Sequence, residues 1–476
     1  TGTIVTQNPY TFNNLPSGTS YSVYIRAICG TNDLSTWSGP VNFTTTIAND
    51  NCANAINVPV NSGITCAQTV AGTVIGATAS PEGNTCTGTD DDDVWFQFTA
   101  TSTTHIISLD NVTGSTTDLF HVLYTGTCGN LTQLYCSDPN QSTANNLVVG
   151  QTYFIRVYTW TATANQTSAF TVCIGTPPPP ISTSTTQYTV NQLVTDVLVN
   201  SPCATITNIT SSTGTNFGST NGIGYFNKNG SNFPFNDGII LCSGNANNAP
   251  GPNSTILSDG VTGWPGDTQL EATILAATGN AMNSKNASKL EFDFIPIDDN
   301  LSFNFIFASE EYGTFQCAYS DAFAFYLTDL TTNVTTNLAL VPNTTSPISV
   351  VTIRNQLYNT GCASVNPQYF DKYYQLPQGL NPLGAPINYN GHTVPMTASS
   401  IVVPGHQYHI KLVVADRSDT AYDSAVFIEG DSFNIGQVNL GSDFLVSNGN
   451  AICPDATTTI NSGLDPAAYT FTWMLG

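Results

Sequence analysis

The chain has 476 residues, only 9% of them charged, and its 32 acidic against 9 basic side chains give a net charge of −23. So acidic a surface disfavours nucleic-acid binding, because too few cations exist to neutralise a phosphate track, and it disfavours docking to an anionic bilayer through basic residues. An ordinary domain is about 25% charged; here Thr, Asn, Ser and Gly fill the surface, which suits an extracellular protein, and the length predicts two to four domains.

No stretch approaches the ~20 apolar residues of a membrane span, so no direct membrane insertion is expected in this segment. Thr1 reads as mid-domain, without a signal-peptide pattern, so the chain is expected to be part of a longer exported protein. Twelve cysteines fit that compartment. Six (Cys52, Cys66, Cys86, Cys128, Cys136, Cys173) fall in one region and four (Cys203, Cys242, Cys317, Cys362) in the next. Both sets are even, as a disulfide framework requires, and Cys29 and Cys453 are left over. The absence of CxxC pairs and the scarcity of His argue against zinc.

In residues 1–46, Tyr21, Val23 and Ile25 alternate with Ser22, Tyr24 and Arg26, a strand pattern. The run LPSGTSYSVYIRAIC followed by WSGPVNFTT resembles the C-terminal part of a fibronectin type III domain, which implies a spacer module. There Leu15, Gly18 and Tyr21 would form the turn and tyrosine corner. Residues 47–176 carry strand patterns at 94–98, 105–109, 119–124 and 153–158, separated by turn clusters, which predicts a β-sandwich or jelly-roll. The pieces DDDVWFQF, LYTGTCGNLTQLYCSD and VVGQTYFIRVY resemble the pre-peptidase C-terminal type of domain, an accessory β domain without catalysis. Cys128 is expected to pair with Cys136 across a hairpin. The run Asp90 to Asp93 reads either as a solvated turn or as a calcium loop. Pro177 to Pro180 read as a polyproline linker of ~12 Å, at ~3.1 Å per residue, and as the clearest domain boundary.

Residues 181–440 form the large domain. A helix is expected at 267–277 (DTQLEATILAA), and YTVNQLVTDVLVN reads as a short helix or a strand lead-in, with Leu193, Val197 and Leu198 at helical spacing. Strands are expected where Leu290, Phe292 and Phe294, then Leu301, Phe303, Phe305 and Phe307, then Phe323, Phe325 and Leu327 alternate with other residues, and again at 409–415 and 424–428. Cys203 is expected to pair with Cys242, and Cys317 with Cys362, each stapling a long irregular segment. Residues 441–476 read as the start of an immunoglobulin-like domain, with Cys453 and a strand at Trp473.

The run FxFxxxDDxLxFxFxFASEEY, then DAFAFYLTD, TNLALVPNTTSPISVVTI, NPQYFDKYY and LVVADRSDTAYDSAVFIEGDSF resembles the choice-of-anchor L domain. That resemblance implies a surface protein of gliding and related Bacteroidota, exported by type IX secretion, and names no chemistry. DTA at 419–421 and DSA at 423–425 are similar to the O-glycosylation sequence of Bacteroidota surface proteins, although Ser424 runs into an apolar strand and is expected to be structural.

Two acidic groups flank the strands: Asp298, Asp299, Glu310, Glu311 and Asp321, and then Asp416, Asp419 and Asp423. Crowded hard oxygen ligands suit calcium, the one cofactor expected. The competing reading is a hydrogen-bonded carboxylate network with Arg417 or Lys411 as counter-charge. Adjacent Glu310 and Glu311 are expected to point to opposite faces of a strand. Aromatic residues between the strands (Tyr312, Phe315, Tyr319, Tyr358, Tyr369, Phe370, Tyr373, Tyr374) read as loop packing or as a glycan or protein platform. No GxSxG or HExxH motif is present, so no enzyme is expected. The fold expectation is all-β, with tandem β-sandwich or jelly-roll modules and one large lectin-like sandwich carrying long loops and a short helix. The functional expectation is a calcium-stabilised adhesin segment at the cell surface, binding a glycan, a surface or a partner protein. The alternatives are a carbohydrate-binding accessory region of a secreted hydrolase and a structural stalk or filament segment.

Overall fold

A computed structural model describes residues 3–15, 18–30, 33–199 and 205–435, with short stretches at 444–445, 451–452, 456–461 and 470–474. The chain is all-β and divides into two compact units, 1–177 and 178–476.

In the first unit, Ser20–Ile25 pairs antiparallel with Ser38–Thr44, and Tyr21 stacks on its register partner Phe43 at 5.4 Å. The sandwich that follows has two sheets. In the five-stranded sheet the order is Asn130–Ser137, Leu119–Thr127, Thr152–Thr159, Val94–Thr99, Ile56–Asn57. In the four-stranded sheet it is Gln141–Ala144, His105–Thr113, Ala169–Gly175, Val70–Thr73. Alternation sorts the side chains: Leu119 and Leu123 face the other sheet, while Phe120, Val122 and Tyr124 face outward under the loop before Val94.

Three disulfides close this unit: Cys52–Cys128, Cys66–Cys173 and Cys86–Cys136. The expected Cys128–Cys136 staple is therefore corrected. Cys128 sits at the hairpin turn, whereas Cys136 lies opposite Val122 well down the strand. At ~3.3 Å per residue the two are about 20 Å apart along the ladder, beyond the ~7 Å that a bridge tolerates.

The second unit stacks two larger sheets. One runs Ser182–Ser184, Ile223–Asn227, Asp237–Cys242, Ser424–Glu429, Asn300–Ser309, Gly391–Thr393, Phe370–Tyr373, with Met396–Ile401 also on Asn300–Ser309. The other runs Thr205–Ser212, Ser284–Ile295, Tyr408–Arg417, Ala322–Asp329, Val334–Asn337. Phe303, Phe305, Phe307, Val426 and Ile428 of the first meet Leu290, Phe292, Phe294, Phe323, Phe325 and Leu412 of the second in one core. Each of these phenylalanines is buried, and burying one is worth roughly 1.5–3 kcal/mol, which is why the strict period-two runs fix the register.

The helix is Thr268–Thr278. Asp267 caps it by accepting from the Gln269 and Leu270 amides, and Gly279 ends it at φ 73°. Leu270 and Ile274 pack it on the outer face of the second sheet against Tyr326 and Val413. Val190–Leu198 is a second, shorter helical segment. Cys317–Cys362 is a disulfide. Cys242 carries a free thiol, buried in the outer core of the first sheet beside Ala246 and Tyr389, and among the described residues no second sulfur reaches it. Its expected partner, Cys203, lies outside the described residues, as do Cys453 and most of the immunoglobulin-like segment.

Candidate functional site

Five carboxylates converge at one end of the second unit's sandwich, and the strand registers put them there. In the first sheet Ser309 pairs with Ser424, so Glu310 and Asp423 flank that pair, and the Glu310 amide donates to the Asp423 carbonyl at 3.2 Å. In the second sheet Ala322 pairs with Ala415, so Asp321 and Asp416 flank that one. The sheets are joined at this end by the Ser424 hydroxyl, which donates to Asp321 Oδ2 at 2.7 Å. Glu311 completes the group by accepting from the Asp321 amide at 2.8 Å.

All five are buried, none more than 4% exposed. The strand ends at Ser309, and Glu310 and Glu311 reach different partners beyond it, Glu310 at Leu257 and Glu311 at Asp321. Some oxygens are satisfied. Glu310 Oε1 accepts from Leu257 N, Asp423 Oδ2 from Asp259 N, and Asp321 Oδ1 from Arg417 N. Four are not: Glu310 Oε2, Asp423 Oδ1 and both oxygens of Asp416 have no hydrogen-bond partner. The neighbouring Ser243 hydroxyl donates to the Ser424 carbonyl at 3.4 Å and lies near enough to Asp416 to ease its burial slightly. The Tyr389 hydroxyl, in the same neighbourhood, is also unpartnered.

Electrostatics follows from this burial. Desolvation, with Asp423's charge behind it, pushes Glu310 up to about 8. Desolvation pushes Glu311 and Asp423 to about 7, helped by the charges of Asp419 and Asp259 respectively. Asp321 and Asp416 are pushed well above the usual carboxylate range, first by burial and then by the charge of Glu311 at Asp321 and of Asp321 at Asp416. The charge of Arg417 acts on Glu311 without pairing to it. Among the described residues the ion pairs are made by Arg156, Lys289, Lys372, His406, His409 and Lys411, none to this group. Lys411 holds Asp267 at 2.6 Å, and the Arg417 guanidinium reaches the Ala281 carbonyl. Neither serves as the expected counter-charge by direct contact.

Asp298 and Asp299 do not join the group. They sit at the hairpin before Asn300, at the other end of the strand from Glu310, roughly 36 Å along the chain at ~3.3 Å per residue. They are partly or fully exposed, and Asp298 accepts from the Asp299 amide. Among the described residues no three of the five carboxylates bring ligand atoms within 4.8 Å of one another. The trio that does is Cys66, Asp110 and Cys173, whose sulfurs are bonded to each other.

The Asp90 to Asp93 run of the first unit has a different solution. Arg156, buried, donates through Nε and Nη2 to Asp93, through Nη1 to the Glu82 carbonyl, and bridges Asp90 at 2.9 Å. Asp92 accepts from the Thr159 amide and hydroxyl. Only Asp91 is fully solvated. Sequence spacing gave no hint of Arg156, 63 residues away.

Six of the eight interstrand aromatics pack inward: Tyr312, Phe370, Tyr373 and Tyr374 are buried and Tyr358 and Tyr369 lie partly buried against the core, while Tyr319 is exposed. Ser424 is fully buried and structural, and Thr420 is half-buried.

A choice-of-anchor L domain family matches residues 182–434, and a galactose binding domain-like family of the kind associated with type IX secretion matches residues 48–172. Together they fit a secreted surface protein of the Bacteroidota. No curated protein matches the chain. Solved structures similar to it include a protein of Eubacterium rectale described as secreted, at 8% identity over 72% of this chain and 71% of that one, TM-score 0.17. Another is the tandem CBM51 modules of a family 98 glycoside hydrolase from Streptococcus pneumoniae, at 11% identity over 72% and 82%, TM-score 0.17. TM-scores of that size do not establish a shared fold. No helix among the described residues is long and apolar enough to cross a membrane.

Proposed function

Because this chain belongs to the choice-of-anchor L family, we propose that it is a non-enzymatic segment of a cell-surface adhesin whose large sandwich is stabilised by calcium. The observation that carries the calcium reading is the strand-end cluster: buried carboxylates with four unpartnered oxygens and no ion-paired cation. Burying an unpaired carboxylate costs several kcal/mol, which protonation or a bound cation must offset. Oxygen-only donors favour a hard ion, and calcium accepts six to eight ligands in irregular geometry. Asp416 and Asp423 would hold it, with Glu310 beside them. Since three of the carboxylates do not already converge, carbonyl, hydroxyl and water oxygens would complete the shell. The ion would supply the charge that ties the two sheets together at this end.

Burial of Glu310 and Glu311, with Asp298 and Asp299 at the far end of the strand, argues against a glycosidase pair, which needs two carboxyl groups ~5–9 Å apart facing substrate. We read residues 1–46 as the C-terminal part of a fibronectin type III-like spacer, 47–176 as an accessory sandwich of pre-peptidase C-terminal-like type, 177–180 as a linker, 181–440 as the presenting domain and 441–476 as the start of an immunoglobulin-like domain. The galactose binding domain-like match favours a second reading, the carbohydrate-binding accessory region of a secreted hydrolase. The calcium test is thermal melting with calcium and with a chelator: a rise in Tm with calcium that Asp416→Asn and Asp423→Asn each abolish is expected. An unchanged midpoint would remove calcium from the proposal.

A further inference from the structure

The first unit contains a cleft of about 530 Å³ at the open side of its sandwich. It lies where both sheets end in an edge strand, Asn130–Ser137 on one side and Gln141–Ala144 on the other. Ladder pairing explains its shape. Gln133 lies opposite Tyr124, but after a register shift Tyr135, rather than Leu134, lies opposite Leu123. Such a bulge puts an extra residue on one strand and re-aims its side chains. Here two consecutive residues, Leu134 and Tyr135, both line the cleft. Leu134 is exposed, and the Tyr135 ring packs against the core while its hydroxyl bonds to Ser142.

The facing wall is polar. Thr143, Asn145 and Asn146 line it, and the base is closed by Gln151, whose amide donates to the Thr125 hydroxyl. Asn146 is exposed at φ 59°, and its side-chain amide makes no hydrogen bond among the described residues. No charged side chain lines the cleft, in a chain of net charge −23. Its volume falls within the ~300–1,000 Å³ of small-ligand sites.

We infer that this cleft binds a neutral saccharide. A sugar presents apolar C–H faces and a rim of hydroxyls that both donate and accept. Leu134 and Tyr135 offer the first a surface, and side-chain amides, with two donors and two acceptor lone pairs each, match the second. A charge-free lining gains nothing from an anionic or cationic ligand. The inference rests on the second, carbohydrate-binding reading above and gives its ligand a chemical class and a place.

The test passes the intact chain over an array of neutral and charged oligosaccharides and titrates the strongest neutral binder by calorimetry. Retention on neutral glycans is expected. Leu134→Asp and Asn146→Gly should each weaken the affinity at least ten-fold; the glycine removes the amide and accepts the left-handed backbone, so the fold is kept. Val149→Asp, exposed and outside the cleft, should bind as wild type. No neutral-glycan binding, binding of charged glycans only, or equal affinity in Leu134→Asp and Asn146→Gly overturns the inference. The chelator melting shift is a separate measurement on the wild-type chain, so the cleft and the calcium reading fail independently.

Discussion

Replacing Asp93 by Ala removes the carboxylate that neutralises Arg156, and both side chains are fully buried. Breaking a buried pair from one side typically costs about 3–5 kcal/mol, because the remaining charge stays desolvated. Here Asp90 still bridges Arg156 and the Glu82 carbonyl still accepts from it, which puts the expectation near the lower figure, about 3 kcal/mol. The substitution also strips the acceptor from the Ser80 amide and hydroxyl, and Trp95 donates to that same hydroxyl, so the loop over the outer face loosens with it. For a sandwich of this size 1 kcal/mol moves Tm by roughly 3–6 °C, so a fall of about 10–20 °C is expected. Calorimetry supplies the midpoint. Hydrogen exchange in the strands Val94–Thr99 and Thr152–Thr159 assigns it to this unit. Asp91→Ala, at a solvated position, should stay within about 0.5 kcal/mol of wild type. Equal melting of the two variants would refute the reasoning. So would a chelator-sensitive midpoint that Asp93→Ala abolishes, since that would place an ion, rather than Arg156, at the centre of the run.

His409 sits between Glu291 and Asp293, at 3.2 and 2.7 Å, and those hydrogen bonds, Glu291's first, raise the imidazole above its ordinary range. Its stabilisation is therefore fully present below the unfolded value near 6.5 and is lost as pH rises through the folded value. Glu291, lowered first by the same hydrogen bond, contributes above its unfolded value and loses that contribution as pH falls through its folded one. His409→Gln should flatten the alkaline side of this dependence in urea melts between about pH 6 and 8, and an unchanged slope would count against the clamp. Reducing Cys317–Cys362, which closes a loop of sequence separation 45, should cost at most about 4 kcal/mol by loop entropy, read as a drop in the urea midpoint of the second unit; no drop would mean that this long segment is ordered by packing alone.

Much of the fold was legible because burial imposes a period. Phe303, Phe305 and Phe307 cannot slip by one residue without all three leaving the core between the sheets, and the helix carried its own start and stop in Asp267 and Gly279. Contacts that join distant segments were not legible. Six cysteines allow fifteen pairings, and parity chooses none of them. The acidic site was half legible: four of its members lie beside strand ends that the alternation marks. Sequence proximity wrongly added Asp298 and Asp299, because a ten-residue strand separates what seems adjacent. It also missed the Ser424–Asp321 bond, which spans 103 residues.

The strand-end cluster makes a prediction of opposite sign to ordinary acid denaturation. A carboxyl raised in the folded state binds its proton more tightly there than in the unfolded chain, so the native state holds more protons and stability falls as pH rises. The fall begins above the unfolded carboxylate values near 4 and ends above the folded ones, about 7 for Glu311 and Asp423 and about 8 for Glu310. With a chelator present, the second unit should therefore be most stable near pH 5 and lose Tm steadily towards pH 8. Calcium inverts the logic, since an ion beside Asp416 and Asp423 favours their charged forms. With calcium the slope should flatten or reverse, and the calcium-induced shift in Tm should grow from pH 5 to pH 8. Replacing Asp416 by Asn removes the residue whose two oxygens are both unpartnered and leaves a neutral amide, so the chelated protein should gain stability at pH 8 while losing its response to calcium. A chelated wild-type chain whose Tm rises between pH 5 and 8 would show that these acids are ionised without an ion, and that water or an unrecognised cation reaches them.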